Sequence, residues 1–285
     1  ACGTALLGCV PGALAAPGFT LLGLLASAAA VPAVWERARV WREGGVRLHG
    51  ILPRPWQAIL AAVLAFVSFH VLVLAAAPAT DWDVLAYHLA VPKLYLQGGT
   101  ILPIPWLMHT HWPHLMEVFY CVPLALGCEQ AAALWHAALC GALVWAVFRA
   151  GRAELGEGAA WVTAALLALQ PVFLAVAPVA HSDGAVALFH FLAGLAVWEW
   201  SQRRDPKVLF VAGLLSGLAA SCKLHGLLLA GTLSVWVALR PGPGRQRGQA
   251  LGVYLCGVLV LCAPWLVKAY RETGNPLWPF GAGIL

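Results

Sequence analysis

The apolar run from Trp56 to Ala79 constrains the fold more than any other feature of the sequence. A helix of these 24 residues is about 36 Å long, sufficient to cross the hydrocarbon core of a bilayer with some tilt. Similar runs recur along the chain, which is 61% hydrophobic and only 10% charged. Their apolar residues are continuous and do not alternate with polar ones, as they would in a membrane β-barrel. The sequence therefore predicts an all-α integral membrane protein with several spans.

The basic residues predict how the spans are oriented. A net charge of +5 could indicate nucleic acid binding in a soluble protein, but in a membrane protein it first reports topology, and we expect no nucleic acid partner. Of the 17 Lys and Arg residues, all except Lys93, Lys223, Lys268 and Arg271 lie in four loops between apolar runs. The positive-inside rule places those four loops in the cytoplasm.

With this orientation, residues 1–285 read as one transmembrane module. The first run contains three prolines, so it is either one kinked span or a broken hairpin. Residues 113–127 are assigned to the outer interface, because a crossing there would move Arg149 and Arg152 outside. The predicted spans are about 3–34, 56–79, 131–148, 159–179, 184–200, 208–221, 224–239 and 250–267, with an outer loop and juxtamembrane helices at 80–128.

The stretch TDWDVLAYHLAVPKLYL at 80–96 places Asp81 and Asp83 on the outer side, immediately after the second predicted span. A carboxylate at the membrane surface can take a proton from an attacking hydroxyl group. The alternative is structural, because Thr80-x-x-Asp83 fits a capping box that would only begin the next helix.

Asp183 in HSDGA and Lys223 in SCKLHGL are the next candidates. Asp183 precedes a predicted span, where Asp is an ordinary N-cap residue. Lys223 lies between two apolar runs, where a charge costs about 3 kcal/mol, so it either snorkels to the interface or has a partner such as a phosphate.

His109 and His111 lie in the sequence MHTHWPH of the same outer loop. Two histidines in an H-x-H pattern can bind a divalent cation together with carboxylates, or they can donate hydrogen bonds to sugar hydroxyl or phosphate groups. Trp106 and Trp112 suit sugar stacking, and they equally suit the aromatic belt of a membrane interface. The sequence leaves these alternatives open, and it establishes no cofactor.

Asp83 with Tyr87, His88, Pro92, Lys93 and Tyr95 resembles the first outer loop of membrane glycosyltransferases of the C-type (GT-C) superfamily. The resemblance is to the polyprenyl-phosphate-sugar-dependent group, which includes protein mannosyltransferase-like and aminoarabinose transferase-like enzymes. With Gly274-Asn275-Pro276 near the end, it covers about residues 56 to 281. It implies a GT-C-type multi-span helical bundle with outer-face juxtamembrane helices. Members usually continue with further spans, so it also implies that the chain is a fragment of a longer one.

The resemblance implies roles for particular residues. Asp83 and Asp183 would be catalytic, while Lys223 and, more weakly, Lys93 would bind the donor phosphate. Many relatives have Glu after the first Asp, and Val84 stands there, so that role is absent or has moved to Asp81. The implied substrate-binding residues are Asp81, Tyr87, His88, His109 and His111.

The implied function is an inverting glycosyltransferase that uses a polyprenyl-phosphate sugar. The acceptor would be a glycan, a lipid or a protein, and the sugar would be a hexose or a pentose. The site would face the periplasm from the inner membrane of a bacterium. The alternatives are an outer-face polysaccharide ligase or polymerase, and a lipid or solute transporter, although carriers more often place charges at mid-membrane.

Overall fold

The computed structural model describes residues 53–101, 103–104, 106–240 and 243–280. The predicted span at 3–34 lies outside these residues. The described residues form helices and turns, with no β-strand among them. In chain order the α-helices are α1 (Arg54–Ala75), α2 (Ala90–Gly98), α3 (Leu115–Ala125), α4 (Gln130–Glu154), α5 (Glu157–Ala168), α6 (Pro171–Val176), α7 (Asp183–Arg203), α8 (Pro206–Cys222), α9 (Gly226–Leu239) and α10 (Gly244–Thr273).

Four of the described helices, α1, α4, α7 and α10, are long and apolar enough to cross a membrane. Only 11% of the most apolar window of α1 is buried inside the protein, and its Phe66 and Phe69 are exposed. Apolar side chains on this scale are expected at the surface where lipid covers the helix. The predicted all-α integral membrane fold is therefore confirmed.

Helices α7, α8 and α10 form the centre of the described bundle. Gly213 and Gly217 are four residues apart on α8, so they lie on one face, and this face contacts the backbone of α10. A Cβ atom at Gly213 would lie 2.2 Å from the carbonyl oxygen of Tyr254. The hydroxyl of Tyr254 donates a hydrogen bond of 2.7 Å to Ser216 Oγ across the same interface. Small residues thus allow the two helices to approach closely.

The segment 159–179 was predicted as one span, and in the structure its helix is interrupted. Helix α5 ends at Ala168, and α6 begins at Pro171. Pro171 has no N–H group to continue the helical hydrogen bonding, and Gln170 before it is extended, with ψ 132°. The chain therefore bends here before it reaches His181 and the start of α7.

The loop between α1 and α4 folds, over its described residues, into short helical pieces. A π-helical turn at Val84–His88 is closed by a hydrogen bond of 2.9 Å from the Leu89 N–H to the Val84 carbonyl. A 3-10 turn follows at Met108–His111, and α2 packs against α3. Tyr120 on α3 donates a hydrogen bond of 2.5 Å to the His181 carbonyl. The loop is thus attached to the segment that begins α7.

Candidate functional site

A continuous chain of polar contacts connects the loop between α1 and α4 to the start of α7 and the end of α8. His181 Nε2 lies 3.0 Å from Asp81 Oδ1, and His181 Nδ1 lies 3.3 Å from Asp183 Oδ2. Lys223 Nζ donates a hydrogen bond of 2.8 Å to Asp183 Oδ1. The sequence analysis identified Asp81, Asp183 and Lys223 as candidates. The fourth residue, His181, was not identified there, and it connects the two aspartates.

The helical connectivity explains why Asp183 and Lys223 meet. Asp183 is the first residue of α7, and Lys223 follows the last residue of α8. Because α7 and α8 pack side by side in opposite directions, the start of one helix lies beside the end of the other. The turn after Lys223 is tight, since a Cβ atom at Gly226 would lie 2.3 Å from the Ala220 backbone nitrogen. Only glycine permits this approach.

The charges in this chain of contacts stabilise one another. Burial lowers the pKa of His181, but its hydrogen bonds to Asp183 and Asp81 have the larger combined effect, so its pKa is raised above the ordinary value. Burial raises the pKa of Asp81, and the contacts with His181 and the Val84 N–H outweigh it, so its pKa is lowered. A protonated His181 between two carboxylates is the form that these contacts favour.

Asp83 differs from the other acids of the site. Its side chain is partly buried and makes no hydrogen bond or ion pair with any residue of the described chain. The backbone N–H of Val84 is capped by Asp81 Oδ1 at 3.1 Å. The structure therefore does not show the capping box of Thr80 and Asp83, and among the described residues the carboxylate of Asp83 has no partner.

Tyr87 is a buried residue whose pKa is affected by the acids of the site. Its ring is 7% exposed, and burial raises its pKa above the ordinary value. The negative charges of four acids raise this pKa further, namely Asp83, Glu117, Asp183 and Asp81. The Tyr87 ring stacks on His109 with a centroid distance of 4.3 Å, and His109 packs edge-on against Trp112.

His88 forms a separate buried pair with Glu117 of α3. His88 Nδ1 lies 2.5 Å from Glu117 Oε1, and each side chain is 2% exposed. The His88 ring also contacts the His181 ring, with 4.8 Å between their centroids. The sequence analysis identified His88 but gave Glu117 no role. Only the folded chain shows that Glu117 lies beside His88.

A third cluster attaches the loop to α10. His111 Nδ1 lies 2.9 Å from Glu272 Oε2, and Lys268 donates a hydrogen bond of 2.8 Å to the same oxygen. Lys268 also donates a hydrogen bond to the carbonyl of Thr110. His111 is therefore bound to protein groups, and Glu272 and Lys268 are further residues that the sequence analysis left without a role.

The remaining predicted residues lie at the edge of the site. Lys93 is paired with Glu129 at 2.9 Å, and its side chain is 46% exposed. Trp106 is 83% exposed, as expected for a side chain in the interfacial belt. Among the described residues, no group of three or more His, Cys, Asp and Glu side chains could hold a metal ion.

These features define a multi-pass helical membrane protein with a polar site where the loop between α1 and α4 meets the start of α7 and the end of α8. A model of the dolichyl-phosphate-mannose-protein mannosyltransferase family matches residues 113–267, more than half of the chain. The chain belongs to this family, so it is a membrane glycosyltransferase of the GT-C superfamily, and the resemblance is confirmed. No curated protein and no solved structure matches the chain. The matched region includes Glu117, His181, Asp183 and Lys223 and begins after Asp81 and Asp83.

Proposed function

We propose that the protein transfers a sugar from a polyprenyl phosphate to an acceptor at the outer, periplasmic face of a bacterial inner membrane. The family description names a sugar carried on a lipid phosphate, which supports this class of donor. The sugar is a hexose or a pentose, and the acceptor is a glycan, a lipid or a protein.

The observation that carries the proposal is the chain of contacts from Asp81 through His181 and Asp183 to Lys223, which connects the segment that contains Asp83 to a cationic group that can bind a phosphate. Asp83 has no partner in the described chain, while Asp183 holds Lys223 in place. A lysine ammonium has three donors, and the bond to Asp183 uses one of them. The others can bind phosphate oxygens. A transfer of this kind at a lipid phosphate requires an acid that takes the proton and a cation that binds the phosphate, and Asp83 and Lys223 are proposed for these two roles.

In the proposed reaction, an oxygen of the acceptor hydroxyl attacks the anomeric carbon of the sugar. A new carbon–oxygen bond forms as the bond from the anomeric carbon to the phosphate oxygen breaks. Asp83 takes the hydroxyl proton, and the electron pair leaves with the polyprenyl phosphate, whose charge Lys223 stabilises. Attack opposite to the leaving group inverts the anomeric centre. Asp183 acts by orienting Lys223.

The charge distribution supports an outer site. Helix α7 begins at Asp183 and ends at Arg203, 21 residues or about 31 Å away, so the site and the basic loop lie at opposite ends of one helix. By the positive-inside rule, the end with Arg203, Arg204 and Lys207 is cytoplasmic. The arrangement of residues 1–285 as one transmembrane module, with the spans predicted from the sequence, is part of the same proposal.

In the structure, the predicted substrate-binding residues mostly contact other protein groups, and these residues are Asp81, Tyr87, His88, His109 and His111. Direct contact of these residues with substrate stays a prediction. The same holds for Lys93 as a second phosphate-binding residue and for a divalent cation.

The substitution Asp83→Asn tests the assignment. The variant keeps the size of the side chain but removes the base, so we expect the rate of transfer to fall by about 10²–10⁴-fold with little change in the KM for the donor. The assay supplies membranes containing the protein with labelled polyprenyl-phosphate sugars. The matched control is Asp205→Asn, because Asp205 caps α8 at its other end and Asn caps equally well. Equal transfer by Asp83→Asn and wild type would refute the role of Asp83.

A further inference from the structure

The buried pair of His88 and Glu117 has no role in the reaction described above. Both side chains are 2% exposed, and they are joined by a single short contact of 2.5 Å between His88 Nδ1 and Glu117 Oε1. The other polar atom of each, His88 Nε2 and Glu117 Oε2, is buried without a hydrogen-bond partner in the described chain. Burying an acid with half of its acceptor capacity unused costs stability. Stability alone therefore does not explain why the pair is present.

The position of the pair indicates what it does. His88 is the last residue of the π-helical turn that begins immediately after Asp83. Such turns are rare and are held in place by surrounding contacts, often at functional sites. Glu117 comes from α3, a different element, so the contact attaches the end of this turn to the interior of the outer loop. A turn attached at its end has less freedom to move the residue at its beginning.

The pair also contacts His181, which belongs to the chain of contacts from Asp81 to Lys223. The ring of His88 contacts that of His181, which joins Asp81 to Asp183. It contacts the ring of Tyr87 as well, with 4.1 Å between centroids. A shift of the His88 ring would therefore disturb both Asp83, through the backbone turn, and the Asp81–His181–Asp183 contacts.

We propose that Glu117 and His88 are positioning residues of the transferase site, and that the bond from His88 Nδ1 to Glu117 holds the π-helical turn so that Asp83 faces the acceptor. Glu117 accepts the Nδ1–H hydrogen bond and thereby sets the orientation of the imidazole ring. Neither residue exchanges a proton with the substrate. This proposal rests on the proposed function of Asp83.

Two amide substitutions separate this role from the alternatives. In His88→Asn the side-chain NH₂ group takes the place of Nδ1–H and can donate to Glu117, whereas in His88→Gln the amide reaches the place of Nε2. Both variants place a neutral amide in the same buried site, so thermal unfolding serves to match them for stability. We expect His88→Asn to keep kcat within about fivefold of wild type. We expect His88→Gln to lower kcat on the order of 10²-fold while the donor KM changes by less than about threefold.

The outcomes that overturn the proposal are distinct. An active Gln variant with an inactive Asn variant would mean that His88 acts through Nε2. Equal kcat values in the two variants would mean that the bond to Glu117 does not position Asp83. The double variant with His88→Phe and Glu117→Met removes the buried polar atoms together and should fold, but it should remain about as slow as His88→Gln. Recovery of the wild-type kcat in the double variant would show that the two residues only satisfy each other.

A measurement independent of turnover keeps this proposal separate from the proposed function. Hydrogen exchange of the backbone amides of residues 84–89 should be slow in wild type and in His88→Asn, and faster in His88→Gln. Equal exchange in all three proteins would overturn the positioning role, whether or not the protein transfers a sugar. Conversely, a wild-type protein that transfers no sugar while its exchange pattern is as expected would refute the proposed function alone.

Discussion

The substitution Gly213→Ala tests the close packing of α8 on α10, which places Lys223 at the site. A Cβ atom at Gly213 would lie 2.2 Å from the Tyr254 carbonyl oxygen and 3.0 Å from the Gly257 Cα atom. Ordinary contacts of carbon atoms are about 3.5 Å or longer, so the two helices would have to separate by about 1 Å. Both neighbours are backbone atoms, which cannot rotate away as the end of a side chain can.

The expected loss of stability follows from two opposed effects. Overpacking of a tight contact costs about 1–3 kcal/mol in the free energy of unfolding. Alanine in place of glycine inside a helix contributes up to about 1 kcal/mol in the other direction. We therefore expect Gly213→Ala to destabilise the protein by about 1–2 kcal/mol.

Thermal unfolding of the purified protein in one detergent measures this effect. At about 2–4 °C per kcal/mol for a chain of comparable size, the Tm should fall by a few degrees. The matched control is Gly231→Ala on α9, where a Cβ atom would meet no heavy atom within 4 Å. That variant should keep or raise the Tm. A Gly213→Ala variant as stable as Gly231→Ala would refute the helix contact and, with it, the placement of α8.

Two further predictions concern the charges of the site. The pKa of His181 is raised in the folded protein, so its charged contacts stabilise the fold fully when the pH is below about 6.5, the pKa of His in the unfolded chain. This stabilisation is lost as the pH rises through the pKa of His181 in the folded protein. The Tm should therefore fall over that pH range in wild type but not in His181→Gln. The lowered pKa of Asp81 has the opposite sign, so its contribution is lost only as the pH falls below about 3.9. Lys223→Met should lower kcat by about 10²-fold or more, because it removes the charge that stabilises the departing phosphate. Lys223→Arg should retain more activity than Lys223→Met. Lys93→Met should lower kcat less than Lys223→Met, because Lys93 lies in an exposed ion pair. An equal loss for the two methionine variants would contradict the assignment of the donor phosphate to Lys223.

The site was partly predictable because some of its residues stand out locally. Asp83 and Asp183 are acids beside apolar runs, and Lys223 is a charge between two of them, so each is unusual at its own position. The resemblance to a family of membrane enzymes added the order in which these residues occur. Neither source indicated that Asp81, and not Asp83, would cap the Val84 N–H.

His181, Glu117 and Glu272 were not predictable as members of the site. His181 meets Asp81 across 100 residues of sequence, and His111 meets Glu272 across 161. A histidine or glutamate in a polar loop is ordinary in composition, and no periodicity links it to a partner so far away. The break between α5 and α6 was missed for a different reason, since a proline after an apolar run is compatible with either a kinked or a broken helix.

The sequence by itself determined the membrane class and the helical fold, and it predicts the orientation of the helices. These depend on the length of apolar runs and the distribution of basic residues, which are local or additive properties of the chain. Only the tertiary structure decided that Lys223 pairs with Asp183, that His181 joins two aspartates and that Glu117 holds His88. These contacts depend on which ends of packed helices lie side by side, and that is set by the close packing of α7, α8 and α10.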